Sequence, residues 1–575
     1  MNSLCSIHRS LRGFLPTHSA PVTLFHNVQV VVRADDHGGR VKVISGGGSG
    51  HEPAHAGYVG PNHLTTAIAG EIFASPSVQQ ILAGILASGQ RDDAFLLLVN
   101  NYTGDRLNFS LARDIAMNSL GFSRIEILMV ADDVAIENVQ ESVGRRGLAG
   151  CVLMIKIAGA MAEDGKNLQE IHSYCSEISR ENHLVTIGFT FRSNLKSGEI
   201  TSVEIGKGIH GEPGASRNTN FANFEDIAQH LVEKFRNALP GKSKIVLMLN
   251  NLGGTSQHLM NVFQYNLIPR ISAHFEVVRI VSGTFMTSLD QEGISVTLLN
   301  ISGREEILNY LSRGISIDSH IKSTLKDFDL FAFNQLSASC NVQEQKIQGD
   351  PDLLFRIFKS ACNDLLAECN VLNEMDSELG DGDTGTTISQ GVTHLLERFT
   401  NPEDFRHPGH FLAQLSWELS GQMGGSSGAL YGIFFQAAST AFTFPNASLV
   451  KLQDWLEALH RGNEALKAAA RAKSGDRTML DPLLAIEEFF KNPLLALQWQ
   501  SLQDVMTLVS LVAKSAANTQ NMIPKAGRAA YTMENTTDSV KSFKYPDPGA
   551  HAVSIWFQGI LKCFRNTRYD DHVIL

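Results

Sequence analysis

The chain has 575 residues, 43% hydrophobic and 19% charged, enough for more than one core and ordinary for a folded enzyme. Its 48 Lys+Arg against 59 Asp+Glu give a net charge of −11, which argues against nucleic acid as a partner because a phosphate backbone calls for a basic face. Seven cysteines, with no Cys-x-x-Cys among them, predict reduced thiols in a cytoplasmic protein and no zinc or disulfide framework.

The first 34 residues hold no acid but include Arg9, Arg12 and Arg33. That composition leaves a mitochondrial presequence open, and the simpler reading is an N-terminal segment of the mature fold. No apolar run approaches the length of a bilayer span, so no membrane partner is expected.

From about residue 28 to 320 the pattern alternates. Strands are predicted at Val28–Val32, Arg40–Ile44, Phe95–Val99, Ile125–Val130, Val152–Ile155, Lys244–Asn250, Val277–Val281 and Ile294–Leu299. Helices are predicted at Ser77–Ala87, Leu107–Asn118 and Asn223–Asn237. Such alternation implies an α/β domain with a largely buried sheet, placed at residues 1–328. After Ile44 comes Ser45-Gly46-Gly47-Gly48-Ser49-Gly50-His51. It predicts a glycine turn whose N–H groups approach a small polar ligand, with the His51 ring at its edge.

The periodicity lapses across residues 329–349, the expected linker. Beyond Asp350, Leu354, Phe358, Ala361, Leu365, Cys369 and Leu372 recur at helical spacing, which predicts one helix running to Asp376. Ala413–Leu419, Leu452–Lys473, Pro482–Phe490 and Leu502–Ala517 read the same way. Residues 350–575 are therefore expected to form an all-α domain with its chemistry in the loops.

One loop, Asp376 to Thr387, carries Asp376, Asp381 and Asp383 among glycines, with Thr384, Thr386 and Thr387 beside them. Crowded carboxylates repel unless a cation neutralises them, and hard oxygen ligands of this kind suit Mg²⁺ bridged to phosphates. A solvated acidic turn or a Ca²⁺ loop are the alternatives, although the spacing departs from the EF-hand order. Gly424-Gly425-Ser426-Ser427-Gly428, Gly475-Asp476-Arg477-Thr478 and Asp547-Pro548-Gly549 are further turns of similar composition. Four such loops in one helical domain point to a nucleotide site at one end of a bundle. No Walker A sequence is present, since Arg236 stands where Gly241-Lys242-Ser243 requires a glycine, and the protein-kinase set is absent. A dinucleotide oxidoreductase is disfavoured because His51 or Pro53 occupies the place of the third fingerprint glycine.

Six motifs in order carry a resemblance. They span residues 46–57, 101–109 (Asn101-Tyr102-Thr103-Gly104-Asp105), 208–214 (Gly208-Ile209-His210), 380–387, 423–432 and 475–481. Together they resemble the ATP-dependent dihydroxyacetone kinase family over nearly the whole chain, including its animal branch that also cleaves FAD to AMP and cyclic FMN. The resemblance implies an N-terminal α/β substrate domain and a C-terminal antiparallel helical barrel for nucleotide. It implies a histidine nucleophile at His210, a hydrogen-bonding His51 and a base at Asp105, with Gly48, Ser49, Gly50 and Asn100 also against the triose. Asp376, Asp381 and Asp383 would hold two Mg²⁺ ions. Asp383, Thr384, Gly385, Thr386, Ser426, Ser427, Arg477, Thr478, Asp547, Pro548 and Gly549 would line ATP. The implied substrates are dihydroxyacetone, D-glyceraldehyde, ATP and FAD, with Mn²⁺ or Co²⁺ an option for the lyase and a homodimer as the assembly. His55 carries no implied chemistry and reads as structural. Animal members have a lysine where this chain has Asn100, which keeps a hydrogen-bonding group but no charge. A kinase-only paralogue or a non-catalytic regulatory homologue are the competing readings.

Overall fold

The computed structural model describes residues 6–35, 40–136, 144–180, 182–194, 199–210, 216–218, 221, 223–314, 324–329, 349–380, 382–442, 450–491, 502–527, 529–532 and 543–565. The expected linker, Asp381 and the Gly211–Gly214 part of the third motif lie almost wholly outside them. The chain divides into two compact units that change over between Leu330 and Phe331.

The first unit is α/β. It opens with α1 (Ile7–Phe14), and Ile7 and Leu11 enter the core. Strands β1 (Val22–Phe25), β2 (Val30–Arg33), β3 (Lys42–Ser49) and β4 (Thr66–Ile72) follow. Then come α2 (Val78–Ser88), β5 (Phe95–Asn100), α3 (Thr103–Asn118), β6 (Ile125–Val130), α4 (Gly150–Glu163) and α5 (Leu168–Arg180). The remainder is β7 (Leu184–Asn194), β8 (Glu199–Ile205), β9 (Ser216–Asn218), α6 (Phe224–Ala238), β10 (Lys244–Asn251), α7 (Gln257–Ser272), β11 (Glu276–Gly283), β12 (Gly293–Asn300), α8 (Ile307–Ser312) and β13 (Thr324–Lys326).

Two mixed sheets form instead of the one expected: β13-β1-β2-β4-β3-β5-β6 and β11-β10-β12-β7-β8-β9. In the first, β4, β3, β5 and β6 run parallel. The chain passes from β3 to β4 on one side, then crosses to β5 on the other. The carboxyl end of β3 is thus a topological switch point, where open α/β sheets bind ligands.

Two expectations fail here for identifiable reasons. The glycine run is not a turn; it continues β3 to Ser49, buried throughout. A Cβ at Gly46 would lie 2.4 Å from the Ile68 carbonyl oxygen, and one at Gly48 2.8 Å from the Ala74 nitrogen. The glycines are there for close approach of neighbouring backbone. Val152–Ile155 is not a strand but part of α4, which is buried from Gly150 to Ile155 and almost to its end. A helix apolar all round shows no amphipathic period.

The second unit is helical: α9 (Pro351–Ala367), α10 (Cys369–Asp376), α11 (Thr384–Arg398), α12 (Pro408–Gln422), α13 (Gly425–Ser439), α14 (Leu452–Ala470), α15 (Leu480–Lys491), α16 (Leu502–Asn518) and α17 (Pro548–Arg565). The single helix expected to Asp376 is broken at Glu368, between α9 and α10. Among the described residues α9 packs on α11, each helix from α11 onward packs on the next, and α17 returns to α9. They surround an apolar cavity of about 350 Å³ whose lining includes Phe358, Leu415, Tyr431, Leu459, Leu508 and Trp556. So apolar a lining offers water almost no hydrogen-bonding partner.

One buried ion pair stiffens the first unit. Arg146 donates to Asp133 through Nε at 2.8 Å and Nη2 at 2.6 Å, and neither side chain is more than 1% exposed. Arg146→Ala strands the Asp133 charge and should lower the unfolding free energy by about 3–5 kcal/mol, read from denaturant titration. A change near zero would show that the pair is replaceable.

Candidate active site

At the carboxyl ends of β3 and β5 the first unit gathers its titratable groups. β3 delivers the chain to Gly50 and His51. His51 is 2% exposed, and its Nδ1 lies 2.8 Å from the Thr287 carbonyl. A carbonyl only accepts, so Nδ1 carries the proton and Nε2 is the acceptor of the ring. Thr287 and Leu289 come from the segment joining β11 to β12, on the second sheet. The Thr287 hydroxyl donates to the Gly50 carbonyl at 3.2 Å and the Glu52 carbonyl at 3.0 Å. The Thr287 N–H donates to the His51 carbonyl at 3.1 Å, and the Leu289 N–H to that of Gly50 at 2.8 Å.

His210 follows β8. Its ring meets His51 edge-on with centroids 4.8 Å apart, and Tyr102 at 4.4 Å and Phe73 at 5.6 Å enclose it. Asp105 lies in the first turn of α3 and is 4% exposed. Burial pushes its carboxyl up to about 6, opposed by a hydrogen bond from Ser75 and by the charge of His210. A carboxylate with a raised pKa beside an imidazole is equipped to take a proton near neutral pH. The expected residues His51, Asp105 and His210 are thus brought together.

The other expected triose contacts divide. The Ser49 hydroxyl donates to the Gly70 carbonyl at 2.7 Å, a bond that ties β3 to β4. Asn100 ends β5 and is 4% exposed. Among the described residues its Nδ2 reaches the Met286 sulfur at 4.0 Å, and its Oδ1 is buried without a hydrogen bond.

In the helical unit three of the four loops converge. Asp376, at the end of α10, accepts through Oδ2 from the N–H groups of Gly382 at 3.0 Å, Asp383 at 3.0 Å and Thr384 at 3.3 Å. Thr386 is held to Asn373 by two 3.0 Å bonds, and Gly385 is buried in the same helical turn. Glu378 accepts from the N–H groups of Lys544 at 2.7 Å and Tyr545 at 3.0 Å. Arg477, at φ +61°, donates to the Tyr545 carbonyl at 2.9 Å and lies 4.5 Å from the Phe543 ring centre. Asp481 accepts from Gly475 and Thr478 N–H at 2.6 and 2.8 Å, shaping the turn that presents Thr478. Asp547 caps α17 through the Ala550 N–H at 2.8 Å, ahead of Pro548 and Gly549. Its carboxyl is pushed up to about 6 by burial, offset by that N–H and by Arg477, while Asp481 and Asp376 reinforce the rise. Ser426 and Ser427 occupy the first turn of α13, and Tyr431 on the same helix feels the Asp547 charge.

Asp376 and Asp383 offer hard oxygens, which fit Mg²⁺ that takes its other ligands from phosphates and water. Among the described residues no three acidic, histidine or cysteine side chains are close enough to form a complete metal cage.

Two family models match the chain, and the structural change-over at Leu330 and Phe331 falls in the gap between them. A Dak1 domain matches residues 12–317 and a DAK2 domain residues 378–562. The triokinase/FMN cyclase of Homo sapiens is 34% identical over 574 residues, covering 94% of each chain. The chain belongs to the dihydroxyacetone kinase family. The dihydroxyacetone kinase of Komagataella pastoris is 32% identical, with 94% of this chain and 95% of the relative covered. The crystal structure of the dihydroxyacetone kinase of C. freundii in complex with AMP-PNP and Mg²⁺ aligns at 28% identity with a TM-score of 0.48, over 97% of this chain and 98% of that one.

Within this family member four residues around the pocket escaped the sequence reading. Ser75 and Phe73 sit in the run Phe73-Ala74-Ser75-Pro76 just past a strand, and Tyr102 lies inside a motif already singled out. Thr287 had no signal, because it reaches the site from the segment between β11 and β12, far away in sequence.

Asp105 also sets a measurable balance. A carboxyl pKa raised by folding destabilises the protein above that pKa; the penalty is absent below about pH 4 and complete above about pH 6. Asp105→Asn should therefore stabilise the fold at pH 7.5 by about 2–3 kcal/mol, with the gain vanishing near pH 3. An equal loss of stability at both pH values would refute a desolvated carboxylate.

Proposed function

We propose that this chain transfers the γ-phosphoryl group of ATP to dihydroxyacetone and D-glyceraldehyde. The observation that carries the reading is the grouping of His51, His210 and the raised carboxyl of Asp105 at the switch point of the first sheet. Relatives aligned over nearly the whole chain are named as triokinases and dihydroxyacetone kinases.

A triose is too small to be fixed by many contacts, so a reversible covalent bond is an efficient way to orient it. In this reading a His210 ring nitrogen adds to the carbonyl carbon, the carbonyl π pair moves to oxygen, and the ring N–H proton is passed to that oxygen. The hemiaminal hydroxyl so formed can donate to Nε2 of His51, the acceptor that the Thr287 carbonyl enforces. Glycerol, without a carbonyl, is rejected. Asp105 takes the proton from the terminal hydroxyl as its oxygen attacks phosphorus. Gly48 and Gly50 present backbone to the triose, and Asn100 adds an uncharged polar group.

In the helical unit, read as an antiparallel barrel, Asp383 to Thr386, Ser426, Ser427, Arg477, Thr478 and Asp547 to Gly549 line the nucleotide. Asp376, Asp381 and Asp383 would hold two Mg²⁺ ions, whose charge would offset that of the phosphates. The same nucleotide loops would admit FAD for cleavage to AMP and cyclic FMN, with Mn²⁺ or Co²⁺ as alternative ions. A cytoplasmic homodimer completes the reading.

A panel of dihydroxyacetone, D-glyceraldehyde and FAD, each with Mg²⁺ and Mn²⁺, tests it. Triose phosphorylation without FAD cleavage would identify a kinase-only paralogue, and neither activity a regulatory homologue. His210→Ala should lose at least about 10³-fold in triose phosphorylation, as for a removed nucleophile, while FAD cleavage persists. Parental triose turnover by this variant would eliminate the covalent step.

A further inference from the structure

His55 is a second buried imidazole beside the site. It is 7% exposed, and its Nε2 is buried with no hydrogen bond. Burial lowers its pKa to about 4, so the ring is neutral at physiological pH. A polar atom orphaned in this way costs about 1–3 kcal/mol, which a structural histidine in a well-packed core avoids by finding a partner.

Its position gives the orphan a use. A Cβ built on Gly47 would lie 3.5 Å from His55 Cε1, the carbon bonded to Nε2, and 3.8 and 4.0 Å from the two carboxylate oxygens of Asp105. His55 and Asp105 therefore converge on the bare face of one glycine of β3. Asp105 Oδ1 is likewise buried without a hydrogen bond. The two side chains can be no farther apart than the sum of those distances, so both lie within reach of one small ligand. Each proposed triose has two hydroxyls: one is deprotonated as it attacks phosphorus, and the other needs a partner inside the same pocket.

We infer that His55 is a substrate-binding residue whose Nε2 hydrogen-bonds the triose hydroxyl that is not phosphorylated. This rests on the triose reading of the site. Neutrality matters to the role, since a cation on this ring would pull the Asp105 carboxyl down and weaken the base. The Asn100 Oδ1 is the other orphan nearby, but it faces Gly147, 2.8 Å from a Cβ built there, and not the Gly47 niche.

The test compares the full-length protein and its His55→Leu and His55→Asn variants on dihydroxyacetone and on hydroxyacetone, which keeps the carbonyl and one hydroxyl but lacks the second. The parent should favour dihydroxyacetone. His55→Leu should cut kcat/KM for dihydroxyacetone by about 10-fold or more, the scale of one lost hydrogen bond in a buried site, and change that for hydroxyacetone by less than about twofold. His55→Asn, which keeps a hydrogen-bonding group, should recover much of the loss. Equal losses on both ketones, or no loss on either, overturn the assignment. Should the leucine variant fail to fold, His55→Gln is read by the same comparison, unequal losses supporting the contact and equal losses refuting it. A parent inert toward both ketones would sink the triose reading first and His55 with it, an outcome visible before any variant is made.

Discussion

The hydrogen bond from His51 Nδ1 to the Thr287 carbonyl, 2.8 Å long between positions 236 apart, is the constraint on which the pocket depends. It joins the end of a parallel strand in one sheet to a loop of the other. It fixes the tautomer of His51, and through the ring contact it fixes the face shown to His210. The bonds from Thr287 and Leu289 to the carbonyls of Gly50, His51 and Glu52 repeat the same tie. With the loop anchored on both sides, a small substrate can be held by positioned groups without a large complementary surface.

Both units bury carboxyl groups, and the second also surrounds several of its own with backbone donors. In the first, carboxyl and imidazole are buried, so desolvation raises Asp105 and keeps His55 neutral. That suits proton transfer, in which each group must begin in a defined state. In the second, acidic side chains are surrounded by N–H groups: Asp376 accepts three and Asp481 two. There the N–H donors only oppose the burial that pushes the Asp481 carboxyl up, as Arg477 and the Ala550 N–H do for Asp547 at about 6. Arg477 is buried there as well. Its burial lowers its pKa, with the carbonyl of Tyr545 and the face of Phe543 as compensation.

Much of this was legible in the sequence, because the division into an α/β half and a helical half follows from periodicity. The helices Leu452–Ala470, Leu480–Lys491 and Leu502–Asn518 start within two residues of the positions that their apolar spacing implies. The failures share a cause. Where a segment is buried on every side, as in α4, composition no longer distinguishes helix from strand. Where glycines crowd, as at Gly46 to Gly48, the sequence reports close approach but not what approaches, and a strand beside β4 looks like a turn. His51, Asp105 and His210 were nameable from motifs. Thr287 was not, since it reaches the site from the segment between β11 and β12, and the importance of Ser75 emerges only when α3 brings Asp105 beside it.

The central claim is that the His210 ring bonds covalently to a ketose carbonyl in the pocket that His51 and Asp105 share. Carbon-13 NMR of dihydroxyacetone labelled at its carbonyl carbon, mixed with excess protein without nucleotide, tests it most directly. The account predicts that the carbonyl resonance is replaced by that of a tetrahedral carbon in the parent and persists with His210→Ala. A bound ketone that keeps its carbonyl resonance in the parent would contradict it.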